Sequence, residues 1–272
     1  MAEPSRTRST AEPIGPRSRV KRDNWRCTLL RYVEMPDGSL EIQEMPLTPE
    51  EFLDPQIGDT MVQGRHHIDA VLFLFEMLKR WFRSRKDVAV LSDLKHLMGP
   101  RRGPAPDISI LMGVPDLAPD IESYDLRTGG IPPSLIIEVV SPSDTRIRRT
   151  DEVTKVELYQ QIGVREYLLL DLPRPGNRRR MNWRGYRLDQ KGRYIPIEPD
   201  LRGRIHSETT NLLFGTDPNE MWMEILDART GERLLTPAEE EEGRKREAKA
   251  RQQAEAEVAR LRKELARLRG ES

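Results

Sequence analysis

One stretch, Leu135-Ile136-Ile137-Glu138-Val139-Val140, constrains this chain more than any other. Aliphatic and β-branched residues in a short run favour a strand, whose side chains alternate between two faces. Ile136, Glu138 and Val140 then share one face, and Leu135, Ile137 and Val139 share the other. Both faces are apolar apart from Glu138, so the strand should lie inside a sheet covered on both sides. A carboxylate there is costly to bury unless a metal ion or a cation satisfies it. The structural alternative is a Glu held at a strand end by an Arg or by backbone donors.

The surrounding pattern mixes strands and helices. Residues 27–45 read as two strands around Pro36-Asp37-Gly38, which has hairpin-turn composition. Thr48-Pro49-Glu50-Glu51 has a cap, a first-turn Pro and first-turn acids, and should open a short helix. His67, Val71, Leu74, Phe75, Leu78 and Phe82 recur at helical spacing, with Arg80, Arg83 and Arg85 closing that helix. Strands are expected at 87–91, 107–112, 135–140 and 165–171, and a hairpin at 182–188 and 192–197. Weaker strands are expected at 212–214 and 221–226. A helix over 151–161 should end at Gly163, a natural C-terminal glycine. Residues 173–180 form a turn-rich loop.

The two ends differ from this middle. Residues 1–24 mix Pro, Ser, Arg and Thr without periodicity and are expected to be a disordered arm. Arg17, Arg19, Lys21 and Arg22 within it are either a solvated tail or a phosphate contact. From Pro237 onward the chain is almost wholly Ala, Glu, Lys, Arg, Gln and Leu, which makes a long helix by propensity alone. Val258, Leu261, Leu265 and Leu268 alternate three and four apart as a heptad seam. The tail is therefore a pairing coiled coil or a solvated single helix. The domain reading is an arm at 1–24, a globular domain at 25–230 and a charged helix at 236–269.

Composition excludes several classes. The 45 Lys and Arg balance the 45 Asp and Glu, so any nucleic-acid surface must be local. One cysteine, Cys27, excludes an intramolecular disulfide and a Cys-x-x-Cys zinc site. The start lacks the apolar core of a secretory signal, and the run from Ala70 to Phe75 is too short to span a bilayer. A cytoplasmic protein without membrane association is expected.

Other residues gain meaning from company. Asp107 follows Pro106, alone a turn signal. Two acids on neighbouring strand ends, however, can bind one magnesium and leave positions for water and phosphate. Asp151, Lys155 and Tyr159 are four apart and share a helix face. Taken alone, Asp151 and Lys155 read as a surface salt bridge of little worth. The functional reading has Lys155 leaning back over the carboxylates. His67 on its apolar stripe reads alone as a core or cap histidine, with His66 pointing away. Arg146, Arg148 and Arg149 are either phosphate contacts or a solvated loop.

Together these pieces resemble the Uma2 family of restriction-endonuclease-like proteins. The resemblance rests on His67 opening a long helix, then Ala105-Pro106-Asp107-Ile108-Ser109-Ile110, then Leu135 through Ser143 as Leu-Ile-Ile-Glu-Val-Val-Ser-Pro-Ser. It continues with Asp151, Lys155 and Tyr159, then Gly163-Val164-Arg165-Glu166-Tyr167, then Asp171-Leu172-Pro173. It runs from about 47 to 226. The resemblance implies the PD-(D/E)XK nuclease fold, an α/β (α+β) mixed sheet flanked by helices, and magnesium-dependent cleavage of DNA, with manganese as a substitute. Asp107, Glu138 and the Val139 carbonyl would be metal ligands, and Lys155 the catalytic lysine. His67 stands where many such nucleases keep an acid. The wider superfamily has its lysine two residues after the glutamate, where this chain has Val140. Lys155 is the displaced substitute. Ser141, Asp151, Tyr159 and Tyr167 would support and position. A homodimer pooling two local basic patches would hold the DNA. The alternatives are a nucleic-acid- or protein-binding module on a nuclease scaffold, and an oligomerising adaptor working through its tail. An intact Asp107, Glu138 and Lys155 favours the enzyme.

Overall fold

The computed structural model describes residues 28–55, 60–61, 64–98, 103–114, 117–118, 120–140, 149–173, 181–219 and 222–269. The expected arm at 1–24, Cys27, Ser141, Arg146, Arg148 and most of the 173–180 loop lie outside them.

Strand Leu135–Val140 is buried at all six positions, as two apolar faces require. In chain order it is β8. It lies in a six-stranded sheet with β4 (Val88–Leu91), β6 (Ile108–Met112), β9 (Glu166–Asp171), β10 (Asn182–Leu188) and β11 (Tyr194–Pro196). The order is β11-β10-β9-β8-β6-β4. β8 and β9 run parallel while the other pairs are antiparallel, so the sheet is mixed. A parallel pair needs a crossover. Helix α3 (Lys155–Ile162), entered through a π-helical turn at Thr150–Thr154, lies on that connection.

A helix covers each face of the sheet. Helix α2 (Arg65–Trp81) lays Ala70, Leu74, Met77 and Leu78 on Ile108, Ile110, Leu135, Ile137 and Leu168. The buried stripe is rotated slightly from the expected one: Ala70 and Met77 are inside, while Val71 and Phe75 sit half-buried at its flank. Arg83 and Arg85 do not close this helix. Phe82, buried at its C-cap, turns the chain toward β4, so the last-turn cations are Lys79 and Arg80. On the other face Tyr159 of α3 packs with Ile136, Val140, Val164, Tyr167 and Leu169. Gly163 ends α3 in the left-handed region at φ 82°.

Before the sheet, β1 (Thr28–Glu34) and β2 (Leu40–Pro46) form the expected hairpin, and the two-residue β3 (Thr60–Met61) pairs antiparallel with β1. Helix α1 (Pro49–Leu53) begins with a full capping box between Thr48 and Glu51. After the sheet, β12 (Ile205–Ser207), β13 (Leu212–Thr216) and β14 (Met223–Asp227) form a smaller antiparallel sheet that continues the α2 side of the core. β5 (Lys95–Leu97), β7 (Ser123–Asp125) and β12 are too short to carry a readable alternation, and the sequence reading misses them. Helix α4 (Pro237–Leu268) is long, capped by Thr236 and Glu239, and buries no residue. A mixed sheet flanked by helices with a long C-terminal helix is the expected fold class. Among the described residues no helix is long and apolar enough to cross a membrane.

Candidate active site

The site begins with strand register. β6 and β8 pair antiparallel with Ile108 opposite Ile137. One step beyond that rung sets Asp107 opposite Glu138, and opposed residues share a face. Asp107 Oδ2 accepts the Val139 N–H at 2.7 Å, which ties it across the gap. In a strand the N–H and C=O of one residue point to the same neighbour. The Val139 carbonyl therefore also faces the Asp107 side, past the last rung. From α2, His67 brings its Nε2 to 3.2 Å from Asp107 Oδ1. Ser92 Oγ donates to the Asp107 carbonyl at 2.8 Å.

Lys155 decides the other half. Its ammonium lies 2.9 Å from Glu138 Oε1 and 2.9 Å from Asp151 Oδ1. The side chain is 2% exposed, so the Asp151–Lys155 pair is not the solvent-screened surface bridge that spacing alone suggests. The correction has a local cause. The Lys155 N–H bonds to the Thr150 carbonyl, one residue further back than in an α-helix, and this π turn aims the side chain at the sheet. Tyr159 Oη donates to Glu138 Oε1 at 2.9 Å. Tyr167 Oη donates to the Asp151 carbonyl at 3.1 Å. The Phe52 ring from α1 lies 4.2 Å from the Lys155 ammonium and caps it by a cation–π contact.

Two buried acids thus touch one buried ammonium, and a third, Asp107, lies close enough to act on it electrostatically. Burial pushes the Glu138 carboxyl above the ordinary carboxylate range, Lys155 opposes this, and Asp107 and Asp151 add to it. Asp151 is likewise raised by burial against the pull of Lys155. Asp107 stays low: burial would raise it, but His67, Lys155 and the Val139 amide outweigh that. Burial alone would lower His67, and Asp107 with Glu138 and Asp151 more than reverses it. The Lys155 ammonium keeps its proton, because the three acids overcome its burial. Burial first, and repulsion among the acids second, disfavour the ionised forms of Glu138 and Asp151.

The donor chemistry fits a hard divalent cation. Carboxylate oxygens of Asp107 and Glu138 and a backbone carbonyl at Val139 are oxygen donors of the kind magnesium takes, with water filling the rest. Among the described residues no group of three or more His, Cys, Asp and Glu is arranged to hold a metal. Magnesium sites on one or two carboxylates do not need one. A hollow of about 280 Å³ opens beside Asp107, lined by Ile68, Val71, Leu72, Ser92 and Asp93.

Of the residues expected at the site, Asp107, Glu138, Val139, Lys155, His67, Asp151, Tyr159 and Tyr167 come together. Arg149 is exposed at the start of the π turn. His66 does point away, stacked on Trp222 at 5.5 Å between ring centroids. Sequence reading misses Phe52, Ser92 and Asp93. Phe52 carries no signal, since an apolar residue on a short helix reads as packing. Asp93 holds a left-handed φ of 54°, a mark that Ser-Asp turn composition hints at without locating.

The model of the Uma2 family, described as "Putative restriction endonuclease", matches residues 34–215. The chain belongs to the Uma2 family. The matched span contains every described residue of the cluster, and α4 lies beyond it. Among solved structures, the chain is similar to one described as a putative nuclease belonging to DUF820 from Anabaena variabilis. That likeness is 16% identical, covers 64% of this chain and 78% of that one, and has a TM-score of 0.34. No curated protein matches the chain.

Proposed function

We propose that this Uma2 protein is a metal-dependent endonuclease that hydrolyses phosphodiester bonds in DNA. Asp107, Glu138 and the Val139 carbonyl would hold magnesium, with manganese as its substitute. The observation that carries this reading is the Lys155 ammonium seated on Glu138, one strand away from Asp107. A lysine beside two opposed carboxylates is an arrangement for holding a cation and a phosphate together. The closeness of the three acids supports it, since a dication relieves the repulsion that Asp107 and Asp151 exert on Glu138.

A divalent cation bound there supplies Lewis acidity and a water acidic enough to react near neutral pH. The remaining work belongs to the chain. Lys155 stabilises the negative charge that builds on the phosphate oxygens. Asp151 and Tyr159 hold Lys155 and Glu138 in place through the contacts described above, and Tyr167 fixes the Asp151 backbone. His67 orients Asp107 through its Nε2. Phe52 keeps water from the far side of the ammonium. Arg149, with Arg146 and Arg148, contacts backbone phosphates.

The test is nicking of supercoiled plasmid with magnesium or manganese, wild type beside Glu138→Ala. Wild type should cut, and the variant should lose about a hundredfold or more while keeping its circular dichroism. Wild-type rates in Glu138→Ala would remove the site assignment. Failure of both proteins to cut would favour a binding module on this scaffold.

A further inference from the structure

Helix α4 carries an apolar line that no other described residue buries. Val258, Leu261 and Leu265 are 46%, 49% and 48% exposed, and Leu268 is 82% exposed. Their spacing assigns Val258 and Leu265 to a positions and Leu261 and Leu268 to d positions of two heptads. The same assignment places Glu257 and Glu264 at g, and Arg262 and Arg269 at e. In a parallel, in-register pair, each g residue meets the e residue five places on in the other chain. Glu257 then meets Arg262 of a second copy, and Glu264 meets its Arg269. All four such contacts across the two-fold axis are opposite in charge. An antiparallel pair would instead set Glu beside Glu and Arg beside Arg.

We propose that residues 257–268 of α4, with the capping Arg269, pair with a second copy of this chain as a short parallel coiled coil. Charge complementarity selects the second copy and its direction together. A Val at a with Leu at d also suits two strands. Upstream, the a and d positions fall on Arg251, Ala254, Arg244 and Glu247, so the pairing stops near Val258. The first turn of α4 stays on its own body, where Glu240 pairs with Arg80 and Glu239 with Arg233. Parallel pairing therefore holds both bodies at one end of the coil. This inference is independent of the nuclease reading.

Sedimentation of the full chain over a concentration series tests it. Wild type should reach twice the 31.5 kDa of one chain, and Leu261→Glu with Leu265→Glu should remain at one chain's mass. A wild type that stays monomeric, or a double variant that still dimerises, overturns the proposal. Direction is read by oxidation of Leu268→Cys in a Cys27→Ser background. Parallel pairing brings the two thiols into bonding distance, whereas antiparallel pairing sets them more than about 10 Å apart. Efficient cross-linking supports the parallel coil, and its absence in a dimeric sample overturns it.

Discussion

At the scale of the residue, burial decides what each charge means. The spacing of Asp151 and Lys155 is that of many exposed ion pairs, which contribute little. Here the ammonium is inside, touching Glu138 and Asp151 at 2.9 Å each. Removing one partner of a buried cluster strands the others without compensation. Lys155→Met should therefore lower stability in urea unfolding by about 3–5 kcal/mol. Adding Glu138→Gln should return part of the loss, since it removes one stranded charge. A loss below about 1 kcal/mol would mean that Lys155 behaves as a surface lysine.

At the scale of the element, the π turn and α3 form the device that delivers Lys155 to the sheet. The helix is anchored at one end by Thr150 and Asp151, both buried, and stopped at the other by Gly163. A Cβ at Gly163 would meet nothing nearer than Pro132 Cγ at 3.8 Å, so space is not the constraint. Backbone is: φ of 82° lies where L side chains are disfavoured. Gly163→Ala should cost about 1–2 kcal/mol in thermal or urea unfolding. Full stability in that variant would show that the stop of α3 adjusts freely. The motif around this glycine was legible in the sequence. The π turn was not, because it lies at the very start of the helix, where no periodic stretch precedes it to reveal a shift of phase.

At the scale of the whole molecule, Glu166 joins the large sheet to the small one. It lies on β9, beside the site strand, and is fully buried. Arg187 Nε donates to Oε1 at 2.8 Å, and Ser207 Oγ and Thr209 Oγ1 donate to Oε2 at 2.5 and 2.6 Å. Backbone amides of Glu208 and Thr209 add to this. Burial alone would raise its pKa, but these donors outweigh burial and hold it below the 4.5 of an unperturbed Glu. The unfolded chain then binds the proton first as pH falls. The stability from Glu166 is complete above the unfolded value of 4.5 and is lost as pH drops through the lower folded value. Glu166→Gln should flatten this acid limb in a pH series of urea midpoints. An unchanged limb would place acid sensitivity elsewhere.

The sequence by itself determined the types of the longer elements, because alternation and helical spacing are local and each long strand or helix obeys its own period. It also determined that Glu138 is a core acid, since its neighbours on both faces are apolar. Its motifs placed Asp107, Lys155 and His67 in one family pattern. The tertiary structure decided their distances. Asp107 faces Glu138 through the register of β6 on β8, a pairing across a long separation in the chain that no local pattern sets. Lys155 reaches Glu138 through a π turn, and His67 reaches Asp107 through the seat of α2 on the sheet. Phe52 closes over the ammonium from an element far away in sequence. Packing between elements, not propensity within them, turned five separated residues into one cluster.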